Sequence, residues 1–512
     1  MCFGKTDRLL SGELVFVLIE KLQLASSNFL SVKHSIVYPM AFTFIDLFAG
    51  IGGFHAALGA LGGKCVYASE WDKDSARIYE RNWNLKPDGD ITLAANDEVM
   101  NVPPHDVLVG GFPCQPFSKS GKQMGMEETR GTLFWNIAKI IEVHKPSIVL
   151  LENVQNIAGP RHLHEWQVII ETLRTLGYRV SKDPMVVSPH LIRPEFGGRP
   201  QVRNRVFIAA TLIPKNVPNF KEDVEIPSLS AVTNTWDPMQ WSLERDLPLE
   251  KLKTAAEKKA VALSDSEISW IEAWNDFVVT MREKLGTASL PGFPIWANDW
   301  IELDKLKIPN GTPAWKRNFL EKNSAFYTEH RVVLNKWLKR WNNLEDFPPS
   351  RRKFEWQAQE TKTLWETIMH FRPSGIRAKK ATYVPALVAI TQTSIIGKQK
   401  RRITTREGAR LQGLPDWFDF VDQVDSLTYK QLGNGVNVGA VYNVIRAQVI
   451  RDLDLLGDKP NLTRAILGAA SSPDLILSNH KDYHSYIPNV EVVDLSKFDF
   501  PSNKPVQLKI VN

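Results

Sequence analysis

Cysteine is nearly missing from this chain. Cys2, Cys65 and Cys114 are the only three among 512 residues, too scattered for a disulfide framework or a metal knuckle, which fits a reducing cytoplasm. No phosphate-cradling Gly-x-x-x-x-Gly-Lys-[Ser/Thr] element occurs, so nucleotide hydrolysis is not indicated. The apolar run Leu14-Val15-Phe16-Val17-Leu18-Ile19, bracketed by Glu13 and Glu20, is too short to span a bilayer, and its acidic flanks do not suit a secretion signal. Charge of one sign is also lacking: the net value of +6 permits an anionic partner without requiring one. A hydrophobic fraction of 43% with 23% charged residues is ordinary for a soluble globular protein. The length exceeds one ordinary core, so two domains, or one with a large insertion, are expected.

What is present centres on Gly110-Gly111-Phe112-Pro113-Cys114-Gln115-Pro116-Phe117-Ser118. The strand-like run Val107-Leu108-Val109 ends in paired glycines, read here as a sharp turn that leaves the Cys114 thiol at a loop tip stiffened by two prolines. A second apolar run, Ile148-Val149-Leu150-Leu151, leads directly into Glu152. Two parallel strands would bring thiol and carboxyl to one sheet edge, where ligands collect in open α/β folds. Upstream, the strand 42–48 runs into Ala49-Gly50-Ile51-Gly52-Gly53-Phe54, a glycine turn that opens a helix. A further strand ends at Glu70, less than twenty residues past that turn, where an acid can accept hydrogen bonds from ribose hydroxyls. Alternation of short aliphatic runs with helical stretches from Phe42 to about Leu212 signals a parallel sheet with crossover helices.

These blocks, with Glu70-Trp71-Asp72, Arg130-Gly131-Thr132-Leu133-Phe134, Glu152-Asn153-Val154, Gln201-Val202-Arg203-Asn204-Arg205, Arg406 to Pro415 and Gln431-Leu432-Gly433-Asn434-Gly435-Val436, resemble the DNA (cytosine-5)-methyltransferase family of bacterial restriction-modification systems. The likeness covers roughly residues 42–212 and 401–448. It implies an α/β, Rossmann-like domain dependent on S-adenosyl-L-methionine, with a large inserted target-recognition domain. By matching positions, Phe48, Glu70, Trp71, Asp90 and Ile91 would hold the adenosyl part of that cofactor. Gly50, Gly52, Pro113, Leu133 and Asn434 would border the rest. Cys114 would be the nucleophile, Glu152 the acid at cytosine N3, Arg205 the donor to O2, and Arg203 a support for the active-site carboxylate and loop. Residues 118–125 look like the family's loop that closes over a flipped base. One departure is visible: Gly435 stands where the family commonly has serine.

The resemblance divides the chain into an extension (1–40, with Met40 a candidate start of synthesis), a first catalytic part (41–212), a target-recognition domain (213–400), a closing catalytic segment (401–456) and a tail (457–512), expected to be weakly structured in part. The insert holds most of the 16 tryptophans. Ser264-Asp265-Ser266-Glu267 there reads as a capping box, followed by an apolar stripe of Ile271, Trp274, Phe277, Val278 and Met281. Basic clusters at 339–340, 351–353, 379–380 and 398–402 are candidate phosphate contacts. Double-stranded DNA is the implied partner, with a cognate restriction endonuclease as a functional one, in a monomer of the prokaryotic cytoplasm. Two other readings stay open here. One is a related tRNA cytosine-5 methyltransferase, disfavoured by the Gly-Phe before Pro113-Cys114 and by the long insert. The other is a catalytically silent DNA-binding relative, which would have no chemical reason to keep Cys114, Glu152, Arg203 and Arg205 together.

Overall fold

The computed structural model describes residues 41–113, 129, 132–215, 229, 233–286, 290–387, 393–469 and 471–479. The first 40 residues, Cys114 and the loop 118–125 lie outside them. The chain divides into two compact units, one comprising the residues up to Asp237 together with those from Ala409 onward, the other Pro238–Gly408.

In the first unit, strands β1 (Phe42–Leu47), β2 (Gly63–Ser69), β3 (Val107–Gly111) and β4 (Ile148–Val154) are parallel neighbours, with β1 between β2 and β3. The sheet continues through β7 (Arg205–Leu212), antiparallel to β4, onto which the short strands β5 (Tyr178–Arg179) and β6 (Met185–Val187) pair. Both faces are covered by helices α1 (Gly53–Ala60), α2 (Lys73–Trp83), α3 (Leu133–His144) and α4 (Leu163–Thr175). The central strands are buried over most of their length, as the predominantly apolar sequences of parallel strands covered on both faces require. Because the chain leaves β1 for β2 on one side and then returns to β3 on the other, the order reverses at the carboxyl end of β1. That is where an open α/β sheet leaves a crevice.

The second unit packs helices α5 (Asp265–Leu285) and α6 (Ala314–Arg340) with a six-stranded sheet ordered β13-β12-β10-β11-β9-β8, in which β8 is Ile295–Trp296, β9 Lys353–Gln357, β10 Thr367–Arg372, β11 Gly375–Lys380, β12 Ile395–Ile396 and β13 Arg401–Arg402. Both reciprocal bonds of the capping box at Ser264 and Glu267 are present, and all five stripe residues are buried. Trp274 stacks on Phe354 at 4.8 Å and its indole N–H reaches the Arg351 carbonyl at 2.8 Å, so its one polar atom is satisfied inside the core.

The structure adds detail to three expectations. The two compact units divide after Asp237 and after Gly408, later than the points where the sequence blocks stop and resume. After Leu456 the described residues form α9 (Pro460–Leu467), which packs on α8 (Val438–Arg451), and α10 (Pro473–Asn479), which packs on α1 and α8. Several residues of the basic clusters have partners within the fold. The Arg351 guanidinium is buried over the rings of Trp270 and Phe371, Arg401 pairs with the buried Glu407 at 2.6 Å, and Arg402 pairs with Glu267. Salt bridges also occupy Arg340 with Asp276, Lys380 with Glu360 and Lys398 with Glu244.

Candidate active site

The paired glycines close β3 instead of turning away from it, and neither has a left-handed backbone. Their smallness is what the fold uses. A Cβ on Gly110 would stand 3.0 Å from the Leu47 carbonyl of β1, and one on Gly111 3.3 Å from Glu152 Oε2. Gly111 is the register partner of Glu152, so β3 ends level with Glu152, two residues before β4 does. The chain then passes Phe112, buried against Phe134, to the exposed Pro113. Asn153 Nδ2 donates to the Phe112 carbonyl at 2.8 Å and pins the exit of β3. Asn153 is a positioning residue that the sequence reading did not single out, although it lies inside the Glu152-Asn153-Val154 block. Cys114 follows one residue after Pro113, beyond the described segment.

Glu152 is 7% exposed. Arg205 Nε lies 2.8 Å from its Oε1, a contact of charge without the in-line geometry of a hydrogen bond, since that oxygen has no hydrogen-bond partner among the described residues. Burial raises the Glu152 pKa above the carboxylate norm, and the charges of Arg205 and Arg203 offset this only in part. Arg203 is itself buried and its pKa is lowered to about 9, by desolvation first and by the neighbouring Arg205 second. Its backbone N–H donates to Ser188 Oγ at 2.8 Å, and its Nη2 donates to the carbonyls of Gly433, at 3.0 Å, and Gly435. One guanidinium thus faces both the carboxylate and the turn that holds Asn434. That turn ends α7 (Asp425–Asn434), where Asn434 is exposed.

The second group of residues surrounds the turn after β1. Phe48, Gly50 and Gly52 all have positive φ, at 54°, 55° and 90°. Gly52 cannot be anything larger: a Cβ there would fall 1.9 Å from the Trp83 indole nitrogen, which donates to the Ile51 carbonyl at 3.0 Å. Trp83 is a wall of the turn with no local sequence signal. Glu70, at the end of β2, accepts from the backbone N–H groups of Gly50 and Asp72, each at 2.7 Å. Burial still holds its pKa above the usual range. Next to it Trp71 is 76% exposed, the largest fraction among the exposed large hydrophobic residues, so its ring face is available to a ligand. Asp90 caps the short turn Ile91–Ala94 through Thr92 N at 2.9 Å, while the Ile91 side chain is core, which leaves backbone and the other Asp90 oxygen for recognition. Leu133, partly buried, opens α3. An open indole, an acid at the strand end and a left-handed glycine turn suit an adenine face, ribose hydroxyls and close backbone approach, so the residues fit S-adenosyl-L-methionine.

A sheet of this topology, with this turn and a buried carboxylate braced by two arginines, defines a Rossmann-like methyltransferase. The chain belongs to the C-5 cytosine-specific DNA methylases, whose family model matches residues 42–449. It is 45% identical over 514 aligned positions to the type II methyltransferase M.AluI of Cellulosimicrobium cellulans, covering 84% of this chain and 98% of that one. It is also 42% identical to M.HhaI of Haemophilus parahaemolyticus over 178 residues (35% and 51% of the two chains) and 45% identical to M.HpaII of Haemophilus parainfluenzae over 170 (33% and 45%). The shorter alignments span only part of this chain, whereas the first runs nearly the full length of its relative. The protein is therefore a DNA (cytosine-5)-methyltransferase of the type II kind. Among the described residues no helix is long and apolar enough to cross a membrane.

Proposed function

We propose that this enzyme methylates C5 of one cytosine within a specific double-stranded DNA sequence, through a covalent adduct between Cys114 and C6 of a flipped-out base. C5 of cytosine is a poor nucleophile, and addition of a thiolate at C6 makes it enamine-like. Electron density then moves toward N3. Glu152, whose raised pKa favours the protonated form, donates a hydrogen bond there, and Arg205 donates to O2. Bound S-adenosyl-L-methionine supplies an electrophilic methyl group, held by Phe48, Gly50, Gly52, Glu70, Trp71, Asp90, Ile91, Pro113, Leu133 and Asn434. Loss of the C5 proton and expulsion of the Cys114 thiolate restore the aromatic ring. None of these atoms is reachable in a stacked duplex, so the base leaves the helix at a cost of roughly a few kcal/mol. The unit Pro238–Gly408 reads the target sequence, and the modification protects DNA of a prokaryotic cytoplasm from a cognate endonuclease.

The observation that carries this reading is the pairing of Gly111, three residues before Cys114, with a buried Glu152 that faces two arginines. Methyl transfer from labelled cofactor to DNA and to tRNA, for the intact enzyme and for Cys114→Ser, tests it. DNA alone should be labelled, and the serine variant should lose transfer while its DNA affinity stays within about tenfold, 1.4 kcal/mol. Activity retained by the serine variant would remove the adduct, and labelling of tRNA alone would move the substrate.

A further inference from the structure

The segment with no evident role in the sequence is tied to both halves of the site. Asp474, at the start of α10, is 4% exposed and forms an ion pair with Arg199 across 275 positions of sequence. The same guanidinium donates to the Arg410 carbonyl at 3.1 Å and to the Gly198 carbonyl at 2.8 Å, so it is held from three sides. The Arg199 carbonyl in turn accepts the backbone N–H of Gln201 at 2.7 Å, the first residue of the Gln-x-Arg-x-Arg block. The fit is close. Gly197 has φ 81°, and a Cβ there would lie 3.0 Å from Asp474 Oδ1 and 3.1 Å from the Gly439 Cα of α8.

A second line leaves the other end of α10. The Leu477 carbonyl accepts the indole N–H of Trp417 at 2.7 Å, and Trp417 meets Trp83 edge to face at 5.9 Å. Trp83 is the residue that donates to Ile51 and fills the space a Gly52 side chain would need. Helix α10 also packs on α1, which begins at Gly53. One short helix therefore touches, through Asp474, the segment that aims Arg203 and Arg205 and, through Trp417, the turn that shapes the cofactor pocket.

We propose that α10 is a positioning element of the active site, with two separable arms: Asp474–Arg199 sets the arginine block for the reacting base, and Leu477–Trp417–Trp83 sets the glycine turn for the cofactor. This rests on the proposed roles of Arg203, Arg205 and the glycine turn. None of the α10 residues touches a reacting group. A bond pattern that displaces the arginines by a fraction of an ångström affects the rate much more than ground-state binding.

The test compares Asp474→Asn, Arg199→Lys and Trp417→Phe with the intact enzyme. Binding stoichiometry and Kd for labelled S-adenosyl-L-methionine are measured first, so that every rate is expressed per competent site, and thermal unfolding is followed in parallel. Asp474→Asn is expected to lower kcat on the order of tenfold with the cofactor Kd unchanged. Arg199→Lys keeps the charge and so retains a folded chain, but it loses the forked geometry, and should fall between the two. Trp417→Phe, lacking the N–H, is expected to weaken cofactor binding several-fold while kcat at saturation holds. If all three variants lower the melting temperature or the number of competent sites but leave kcat per site and both affinities as they were, α10 is only a structural brace and the proposal is overturned. The same holds if the two arms shift the same parameter. The cofactor arm is read by binding alone, so an intact enzyme that failed to methylate DNA would sink the proposed reaction without deciding this one.

Discussion

The proposed acid role of Glu152 has a physical basis in the burial of its carboxyl beside two arginines. Desolvation outweighs the attraction of Arg205 and Arg203, so the folded pKa stands above the unfolded one. The stability associated with the protonated form is then fully present below the unfolded pKa and is lost as pH rises through the folded value. If the acid form serves N3, the single-turnover methylation rate should fall on the same alkaline limb. Glu152→Gln, which offers an N–H at every pH, should lower the rate on the order of a hundredfold and flatten that limb. A limb that persists in the glutamine variant would assign it to another group. Two glycines give a paired expectation. Gly52→Ala forces a Cβ onto Trp83 at φ 90° and should cost about 1–3 kcal/mol with loss of cofactor affinity. Gly435→Ser restores the residue common in the family at φ −63°, with the nearest atom 3.4 Å from the new Cβ, and should change stability by less than about 0.5 kcal/mol. Urea midpoints of the two variants check both.

At the scale of elements, legibility followed locality. The capping box of α5 and its apolar stripe could be read directly, because helix start and face depend on neighbours three and four positions away. The helix Thr405–Leu411, with Gly413 at φ 78° and Pro415 beyond, was legible for the same reason. What Arg401 does was not. It reads as one of a basic run, yet it is buried against Glu407, whose carboxylate also accepts from the backbone N–H groups of Thr404 at 3.0 Å and Glu250 at 2.9 Å. A phosphate contact and a buried salt bridge use the same residue type, and only the packing around it separates them. Glu407→Ala leaves that guanidinium buried and unpaired and should cost about 3–5 kcal/mol. Chemical denaturation followed by tryptophan fluorescence would show a shift of that size, and a change within error would mean that the arginine escapes to solvent.

At the scale of the whole molecule, each unit has its own core. One is built on the sheet β1–β4 with β7, the other on Trp274, Phe277, Trp337 and Phe354. Two calorimetric transitions are therefore expected. Trp274→Ala, at about 3–5 kcal/mol, should lower one of them and leave the other in place. A single transition that shifts as a whole would show the units to be one cooperative body. The order of the sequence blocks already announced a catalytic domain interrupted by an insert. The extent of each unit did not follow from it, because the described residues 233–237 carry no block and yet fall in the first unit. Nor did the placing of α10, which finds Arg199 and α1 more than two hundred positions upstream.

The amino-acid sequence alone determined the pattern on which the proposed chemistry rests: a cysteine after a strand, an acid following the next aliphatic run, a glycine turn with an acid beyond it, and two arginines separated by one residue, all within short stretches whose spacing is their meaning. Tertiary structure decided what each group experiences. The raised pKa of Glu152, the exposure of Trp71, the service of Gly110 and Gly111 as small residues and the contacts of α10 with Arg199, Trp417 and α1 all arise between segments distant in the chain. Burial and charge are set by whichever neighbours the fold brings together, and no local pattern encodes them.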